Sequence, residues 1–442
     1  IKPDADADRT ITFTKTSDNT SSSGGFIIGL SSDNWASRIK TDNVIIDGYA
    51  TGGSTRRLKF VSSSSSHVNT APIVIIGDCE NIQLKNLYVD YGSTATGGVT
   101  NIAAIWIRVR VDGGISYAPN NILIDNCEII TDPGVGGSNT RQGIMVTYSG
   151  STTPNQYADN VTIRNCIITA RHRGIFLNYA ANVNIYNNEF YVRMPVSGYL
   201  SSGVHAFVIK QGSTVKIYNN KFLELRTANA ATTNPLNYGI AGIRIETVGN
   251  YEIYNNFITG FNLTASAPRG QYHGITIATG STLGITAKVY YNTIVINDVT
   301  NLAGTAHTDY RISPFYLNYS GSSGTREADV RNNIFISNEI GSESQCFYWA
   351  NTNLATLTTD YNLFYYSDAT NGFTGRTGAT NRKTLADWQS ALGPMGNVTG
   401  KDANSVSKNV TFVSATNLHL SGSSVSDLDL VGTSISGITT DI

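Results

Sequence analysis

Apolar and polar residues alternate with a period of two in short runs along most of the chain, the pattern of half-buried strands and not of helices. One phrase recurs: apolar, any, apolar, any, Asn, Asn, any, then an aromatic or aliphatic residue. It reads Ile82-Gln-Leu-Lys-Asn-Leu-Tyr-Val89, Ile122-Leu-Ile-Asp-Asn-Cys-Glu-Ile129, Val161-Thr-Ile-Arg-Asn-Cys-Ile-Ile168 and Val183-Asn-Ile-Tyr-Asn-Asn-Glu-Phe190. It returns from Val215 to Phe222, Tyr251 to Ile258 and Ala328 to Phe335, with degenerate copies from Ala287 to Ile294 and from Leu357 to Phe364. A second phrase, often led by glycine, precedes most copies: Gly143 to Thr147, Gly174 to Asn178, Gly242 to Glu246 and Gly274 to Ala278. Ala206 to Lys210 and Pro314 to Asn318 read as variants of it.

Repeats of this kind bury a continuous core when each winds once and stacks on the last, so that Ile lands on Ile and Asn on Asn. The first Asn of each pair, at Asn126, Asn165, Asn187, Asn219, Asn255 and Asn332, marks successive coils. It is read as sitting at a bend and forming an internal Asn ladder. At ~4.8 Å per coil, about ten to twelve coils make a rod on the order of 50 to 60 Å long.

The Asn-Asn phrase and the Gly-Ile strand before it resemble the right-handed parallel β-helix proteins of the pectate-lyase-like superfamily, over roughly residues 40 to 367. The resemblance implies an all-β solenoid and leaves function open, since that superfamily holds lyases, hydrolases, tailspikes and non-catalytic adhesins. Residues 1–367 are assigned to the β-helix. Residues 368–442 are assigned to a C-terminal subdomain in which Lys383 to Leu392 is a helix closed by Gly393-Pro394, followed by strand patterning at Asn409–Val413 and Asn417–Leu420. This order resembles the tail of large secreted bacterial surface proteins, which implies secretion or surface attachment and further chain beyond Thr440-Asp441-Ile442.

Composition narrows the partners. Lys and Arg number 31 against 32 Asp and Glu, for a net charge of -1, so nucleic acid is not an expected partner. No apolar run approaches the roughly 18 residues of a membrane span. Low charge (14%) with 42 Gly and 24 Tyr suits an extracellular chain. Expected partners are polysaccharide or neighbouring surface and matrix proteins, another copy of the chain included. No cofactor or metal is expected. Asp4, Asp6 and Asp8 alternate in the manner of a calcium loop, but Arg9 replaces its Gly and Lys15 its bidentate Glu.

Aligning the Gly-led strands places Met145, Phe176, Val208, Arg244, Thr276 and Tyr316 in one outer row and Thr147, Asn178, Lys210, Glu246 and Ala278 in the next. Arg173, His205 and His273 join the same face. Lys210, His205, Arg244 and Glu246 form its densest ionisable group, with Lys210 and Glu246 expected on adjacent coils. A uronate lyase would need such a cation to neutralise the carboxylate and a base for the C5 proton. The chain lacks an Asp-Asp pair, a Gly-His-Gly phrase and the clustered carboxylates of a calcium site, so an ordinary cross-strand ion pair is the favoured reading. Trp106, Phe176, Tyr316 and Tyr348, with Arg173 and His273, could instead stack on sugar rings. Long loops at 226–237 and 262–271 would wall a cleft. Cys127 and Cys166 hold equivalent positions in neighbouring coils, about 5 Å apart, where a disulfide or stacked free thiols both fit. The leading reading is a non-enzymatic extracellular β-helix, structural or adhesive, with ends lacking obvious caps and therefore open to end-to-end filament assembly. The alternative is a polysaccharide lyase or carbohydrate-binding protein acting around Lys210.

Overall fold

A computed structural model describes residues 9–13, 26–29, 41–49, 56, 58–62, 71–92, 102–131, 141–150, 152–194, 200–227, 239–263, 271–279, 284–297, 311–320, 324–351 and 356–439. The acidic triplet Asp4, Asp6 and Asp8 and most of both long loops lie outside them. The fold is a right-handed parallel β-helix, and the chain divides into two compact units, residues 1–196 with 204–215 and residues 197–203 with 216–442.

In the first unit, Cys79–Lys85, Asn120–Asp125 and Ala158–Arg164 stack in parallel, Ile122 beside both Ile82 and Val161. The strands after the turn, Leu87–Asp90, Glu128–Ile130, Ile167–Ala170 and Glu189–Met194, form a second parallel stack. Ile73–Ile76, Ile102–Asp112, Arg141–Ser149 and the start of Arg173–Tyr186 form the third. The second unit repeats the plan, as in Gly249–Tyr254, Ile285–Tyr290, Arg326–Arg331 and Thr356–Asp360. The inward side chains are fully buried, Ile243, Ile275 and Phe315 among them, and each such aliphatic contributes about 1.5–3 kcal/mol.

The two Asn of the repeat have different tasks. The first takes the left-handed conformation that turns one strand into the next, with φ from 51° at Asn255 to 60° at Asn332. Asn tolerates this region better than most residues, although Tyr291 and Tyr361 also adopt it in the degenerate copies. The buried ladder of the second unit is formed by the second Asn, one residue later than the sequence marker. Asn220 donates its backbone N–H and its amide Nδ2 to Asn256 Oδ1 (3.1 and 3.0 Å). Asn256 does the same to Asn292, Asn292 to Asn333 and Asn333 to Asn362. The markers also bond to one another in the first unit, on the outside of the turn, as Asn126 Nδ2 to Asn86 Oδ1 at 2.8 Å.

The ladder ends on a carboxylate. Asn362 Nδ2 donates to Asp402 Oδ1 (3.0 Å) and its backbone N–H to Ser405 Oγ (2.8 Å). Asp402 is fully buried and also accepts from Ser405 Oγ, Thr359 Oγ1 and Trp388 Nε1. Trp388 belongs to helix α1, Leu385–Leu392, which is opened by a capping box between Thr384 and Asp387. Its indole lies over Phe347 at 5.1 Å, and any Cβ at Gly375 would overlap it. Helix α1 thus packs over Gly372–Thr377, the last strand of the third stack in the second unit. The final strands of that unit, Val398–Thr399 and Val406–Ser407, are two residues each, a length that resists edge pairing. Beyond them two short segments pair antiparallel through a bridge between Phe412 and Leu420, with Val413 N–H bonded to His419 O (3.0 Å) and Ser421 N–H to Thr411 O (2.9 Å). Short 3-10 turns follow at Gly422–Ser426 and Leu428–Leu430, the second opened by the Asp427 carboxylate, which accepts the Asp429 N–H (3.0 Å).

Candidate functional site

The leading glycine of each third-stack strand stands at a corner of the coil. A Cβ at Gly242 would lie 2.6 Å from Ile258 Cγ2 and 2.8 Å from the Gly274 carbonyl oxygen. A Cβ at Gly203 would lie 2.8 Å from the Gly242 carbonyl oxygen, so Gly203 is the corner glycine of its coil. This shifts the phase read from the sequence, which began that copy at Ala206. Counted from the corner, His205 holds the position of Arg244 after Gly242, and Phe207 that of Glu246. Val208 and Lys210 leave the two outer rows. Lys210 is exposed just past the strand Leu200–Ile209, its N–H bonded to the Ala180 carbonyl (3.0 Å).

In the first unit the structure brings together Arg173, Phe176 and His205. The Arg173 guanidinium lies 4.4 Å from the Phe176 ring centre, and Phe176 is 5.4 Å from His205 and 5.9 Å from Phe207. Phe207, 46% exposed, is the most open member, and sequence reading missed it because of the phase error. Trp106 is buried at 2% with Val74, Ala103 and Met145. Arg108 lies over its ring at 4.5 Å, its pKa lowered by burial and by Arg110 to about 10.

In the second unit Arg244 Nε bonds Glu246 Oε1 at 2.6 Å. Glu246, just past the strand Gly239–Ile245, thus pairs with Arg244, where aligning the Gly-led strands offers Lys210 as its partner. His273 is 1% exposed; its Nδ1 meets Ser313 Oγ at 2.9 Å and its ring stacks on Tyr316 (4.6 Å, 5° between planes). Tyr316 packs edge-on to Tyr348, and Arg376 lies over Tyr348 at 5.0 Å. Tyr316 and Tyr348 are buried at 2% and 5%, contrary to the open aromatic face expected for sugar stacking. Coil spacing is close to the stacking distance of aromatic rings, so an outward row of them closes on itself.

Cys127 and Cys166 are free and buried. The Cys127 N–H points at Cys166 Sγ (3.4 Å), and each thiol faces backbone carbonyls, Asp125 O for Cys127 and Arg164 O for Cys166. Neither sulfur is in a disulfide, so of the two alternatives the stacked free thiols are the one present. Burial, with Cys127 beside it, raises the Cys166 thiol well above its ordinary range. Among the described residues no group of three or more His, Cys, Asp or Glu could hold a metal ion, and no helix is long and apolar enough to cross a membrane.

A further cavity lies elsewhere. In the second unit the C-terminal tail turns back over the outer face of the second stack, where Val410, Leu418 and Leu430 pack on Phe257, Ile336 and Leu363. A groove of about 590 Å³ remains between tail and sheet. The tail is tied beside it by a two-way bond: Asn332 Nδ2 donates to Thr433 O (2.7 Å) and Thr433 N–H to Asn332 Oδ1 (2.9 Å).

Residues 107–294 match the family model described as the right handed beta helix region. No curated protein matches the chain. Among solved structures, the chain is similar to PfbA, a surface adhesin of Streptococcus pneumoniae, at 11% identity over 81% of this chain and 80% of that one, with a TM-score of 0.23.

Proposed function

We propose that this chain is a rigid, non-enzymatic segment of an extracellular surface protein, serving a structural or adhesive role. The observation that carries the reading is that the candidate catalytic set is not assembled on one row: Lys210 stands exposed past its strand, outside the row that holds Arg244, and the ionisable groups that remain on the face are engaged. Arg244 is committed to Glu246, and His273 to Ser313 and Tyr316. A general base must reach the proton it abstracts, within hydrogen-bond range or through one water, and His273 at 1% exposure is walled off by its own ladder. Rigidity follows from the coil-to-coil ladders, and extracellular location from the low charge and Asn, Gly and Tyr content. Helix α1, packed over the last strand of the third stack, favours attachment through the sides of the solenoid over end-to-end stacking at that strand.

A second reading keeps Arg173, Phe176, His205 and the exposed Phe207 as a carbohydrate contact, since a cation over an aromatic ring beside an open one suits sugar stacking. Two assays test the proposal. Uronate polysaccharides are screened for the ultraviolet absorbance of an unsaturated product, and no turnover is expected. Turnover abolished by Lys210→Ala would sink the non-enzymatic reading. Attachment of the immobilised chain to polysaccharide and matrix-protein surfaces is then measured, and failure on every surface would remove the adhesive part.

A further inference from the structure

The tail groove of the second unit has a construction that the candidate face lacks. Its floor is one side chain per coil, Phe257, Thr293, Ile334, Leu363 and Val406, each in register with the next. Four coil steps make that row on the order of 19 Å long. Along one edge runs the left-handed turn row, Asn255, Tyr291, Asn332 and Tyr361; Tyr291 and Asn332 already bond Thr433 of the tail, so they offer a ligand only their remaining amide proton and oxygen lone pairs, beside the Tyr361 phenol. The opposite wall is the tail, with Leu418, Leu420 and Leu430. The shape is preformed, because the Asn332–Thr433 pair, the bond from Tyr291 OH to Thr433 O (2.6 Å) and the apolar cluster fix the tail without a ligand. Preformed sites avoid the ordering cost of binding.

Charge selects the ligand class. The ionisable carboxylate and imidazole lining the groove are Asp429 and His419. Asp429 is bonded to Lys408 at 2.6 Å, and the His419 ring lies edge-on to Phe257 at 5.0 Å. Among the described residues no Lys or Arg lines the groove, and Lys408, which reaches the lining Asp429, is held by Asp427 and Asp429 together, so a uronate or sulfate would enter without a free cation to neutralise it. An acyl chain would suit the floor but leave the Asn and Tyr rim facing hydrocarbon, at a desolvation cost. A chain of neutral sugar rings has both required surfaces, an apolar C–H face for the floor and hydroxyls that donate to and accept from amides and phenols.

We propose that this groove binds a short stretch of a neutral polysaccharide, and so is the ligand site of the adhesive role. The inference rests on the adhesive reading. The whole chain is titrated calorimetrically with neutral β-glucan, mannan, galactan and chitin oligosaccharides of four to six rings, with oligogalacturonate, a peptide mixture and palmitate as other arms. Saturable binding to a neutral oligosaccharide is expected, weakened about tenfold or more both by Leu363→Trp, which fills the floor, and by His419→Ala, which trims the wall. Circular dichroism confirms that each variant is folded, and Ile115→Ala, at an exposed position of the first unit outside either candidate site, leaves binding unchanged. Binding to none of the neutral probes overturns the inference, as does binding confined to oligogalacturonate, peptide or palmitate. Neutral-sugar binding lost in Phe207→Ala and kept in both groove variants also overturns it. The attachment assay is separate, so a chain that adheres without the groove refutes the inference and leaves the adhesive reading standing.

Discussion

The two units solve one problem with different atoms. At the buried position after the turn, the second unit carries Asn220, Asn256, Asn292, Asn333 and Asn362, whereas the first carries Cys127 and Cys166 before changing to Asn188. An amide accepts two bonds at Oδ1 while its Nδ2 donates both to the next coil and to backbone carbonyls, as Asn292 Nδ2 does to Ile253 O (2.9 Å) and Tyr290 O (3.0 Å). A thiol is a weak donor and a weak acceptor. The cysteine steps shift polar bonding outward, to Asn126 with Asn86 and to Arg164 with Asp125 (2.7 Å) and Tyr186 (2.9 Å). Stacking alone thus tolerates either side chain, but the thiols reach the neighbouring coils only through long sulfur contacts, Cys127 N–H to Cys166 Sγ (3.4 Å), Cys127 Sγ to Leu84 O (3.7 Å) and Cys166 Sγ to Ile124 O (3.8 Å), where the amides make short bonds through the core.

The largest expected effect breaks the amide run at its centre. Asn292→Ala leaves the N–H of Asn256 without its acceptor, Oδ1 of Asn292, takes one acceptor from Asn256 Nδ2, which keeps Ile217 O and Tyr254 O, and opens a cavity in the ladder. At about 1–3 kcal/mol for the buried N–H left unpaired plus the cavity, urea unfolding should show a loss of about 3 kcal/mol in the transition of the second unit. A loss under 1 kcal/mol, well below that ~3 kcal/mol scale, would mean that the ladder is incidental to stability.

Next comes the end of the run. Asp402→Ala removes the acceptor of four donors at once and should cost about 2–3 kcal/mol, read as a lower thermal midpoint and greater exposure of Trp388 by fluorescence. The carboxyl also titrates. Burial, opposed by Ser405, Trp388, Asn362 and Thr359 as donors, holds it above its ordinary range. The folded state therefore binds this proton more tightly than the unfolded chain, whose value is about 3.9. The resulting stabilisation is complete below the unfolded value and is lost as pH rises through the folded one. Other carboxylates work in the opposite sense, Asp368 for one: burial raises it, but the N–H groups of Gly341, Asn371 and Thr370 outweigh that and bring it down to about 2. The informative quantity is thus the wild type minus Asp402→Asn. That difference in midpoint should favour the wild type more at pH 4 than at pH 7, and a reversed trend would reject the assignment.

A smaller effect concerns reactivity. The four cysteines are buried, and burial pushes Cys346 up to about 12. A thiol reagent should leave all four unmodified in the folded chain and modify them on unfolding.

Much of this was legible in the sequence, and the failures have identifiable causes. Period two and the Asn pair revealed the solenoid because every coil must turn at the same place. The alternation also separated inward from outward residues, but it says nothing about what covers an outward residue; Trp106 and Tyr316 were therefore expected to be open and are buried. At Gly203 the phase failed because Ala206-Phe-Val-Ile-Lys210 mimics the repeat, while the true corner is a glycine whose only signature is the backbone of the next coil. The groove left no local trace. Its anchor joins Tyr291 to Thr433, 142 positions apart, through a tail that has no repeat.

The smallest effect is the sharpest test of the comparison. If the cysteine steps differ from the amide steps only in bonding capacity, Cys166→Asn should extend the ladder by one rung. Cys166 N–H already donates to Asn188 Oδ1 (2.9 Å), the same backbone bond that each Asn of the second unit makes to the next. An amide at 166 would add a second donor to Asn188 and offer Oδ1 to the Cys127 N–H, which now points at sulfur. Against this stands the larger volume of the amide in a fully buried site, where overpacking costs roughly 1–3 kcal/mol. The two terms nearly cancel, so the first unit's transition should move by less than about 1 kcal/mol. The reciprocal Asn292→Cys, which trades an amide for a thiol inside the second unit, should instead lose about 2 kcal/mol. Equal losses in both directions would show that packing volume, and not hydrogen bonding, decides which side chain each coil accepts.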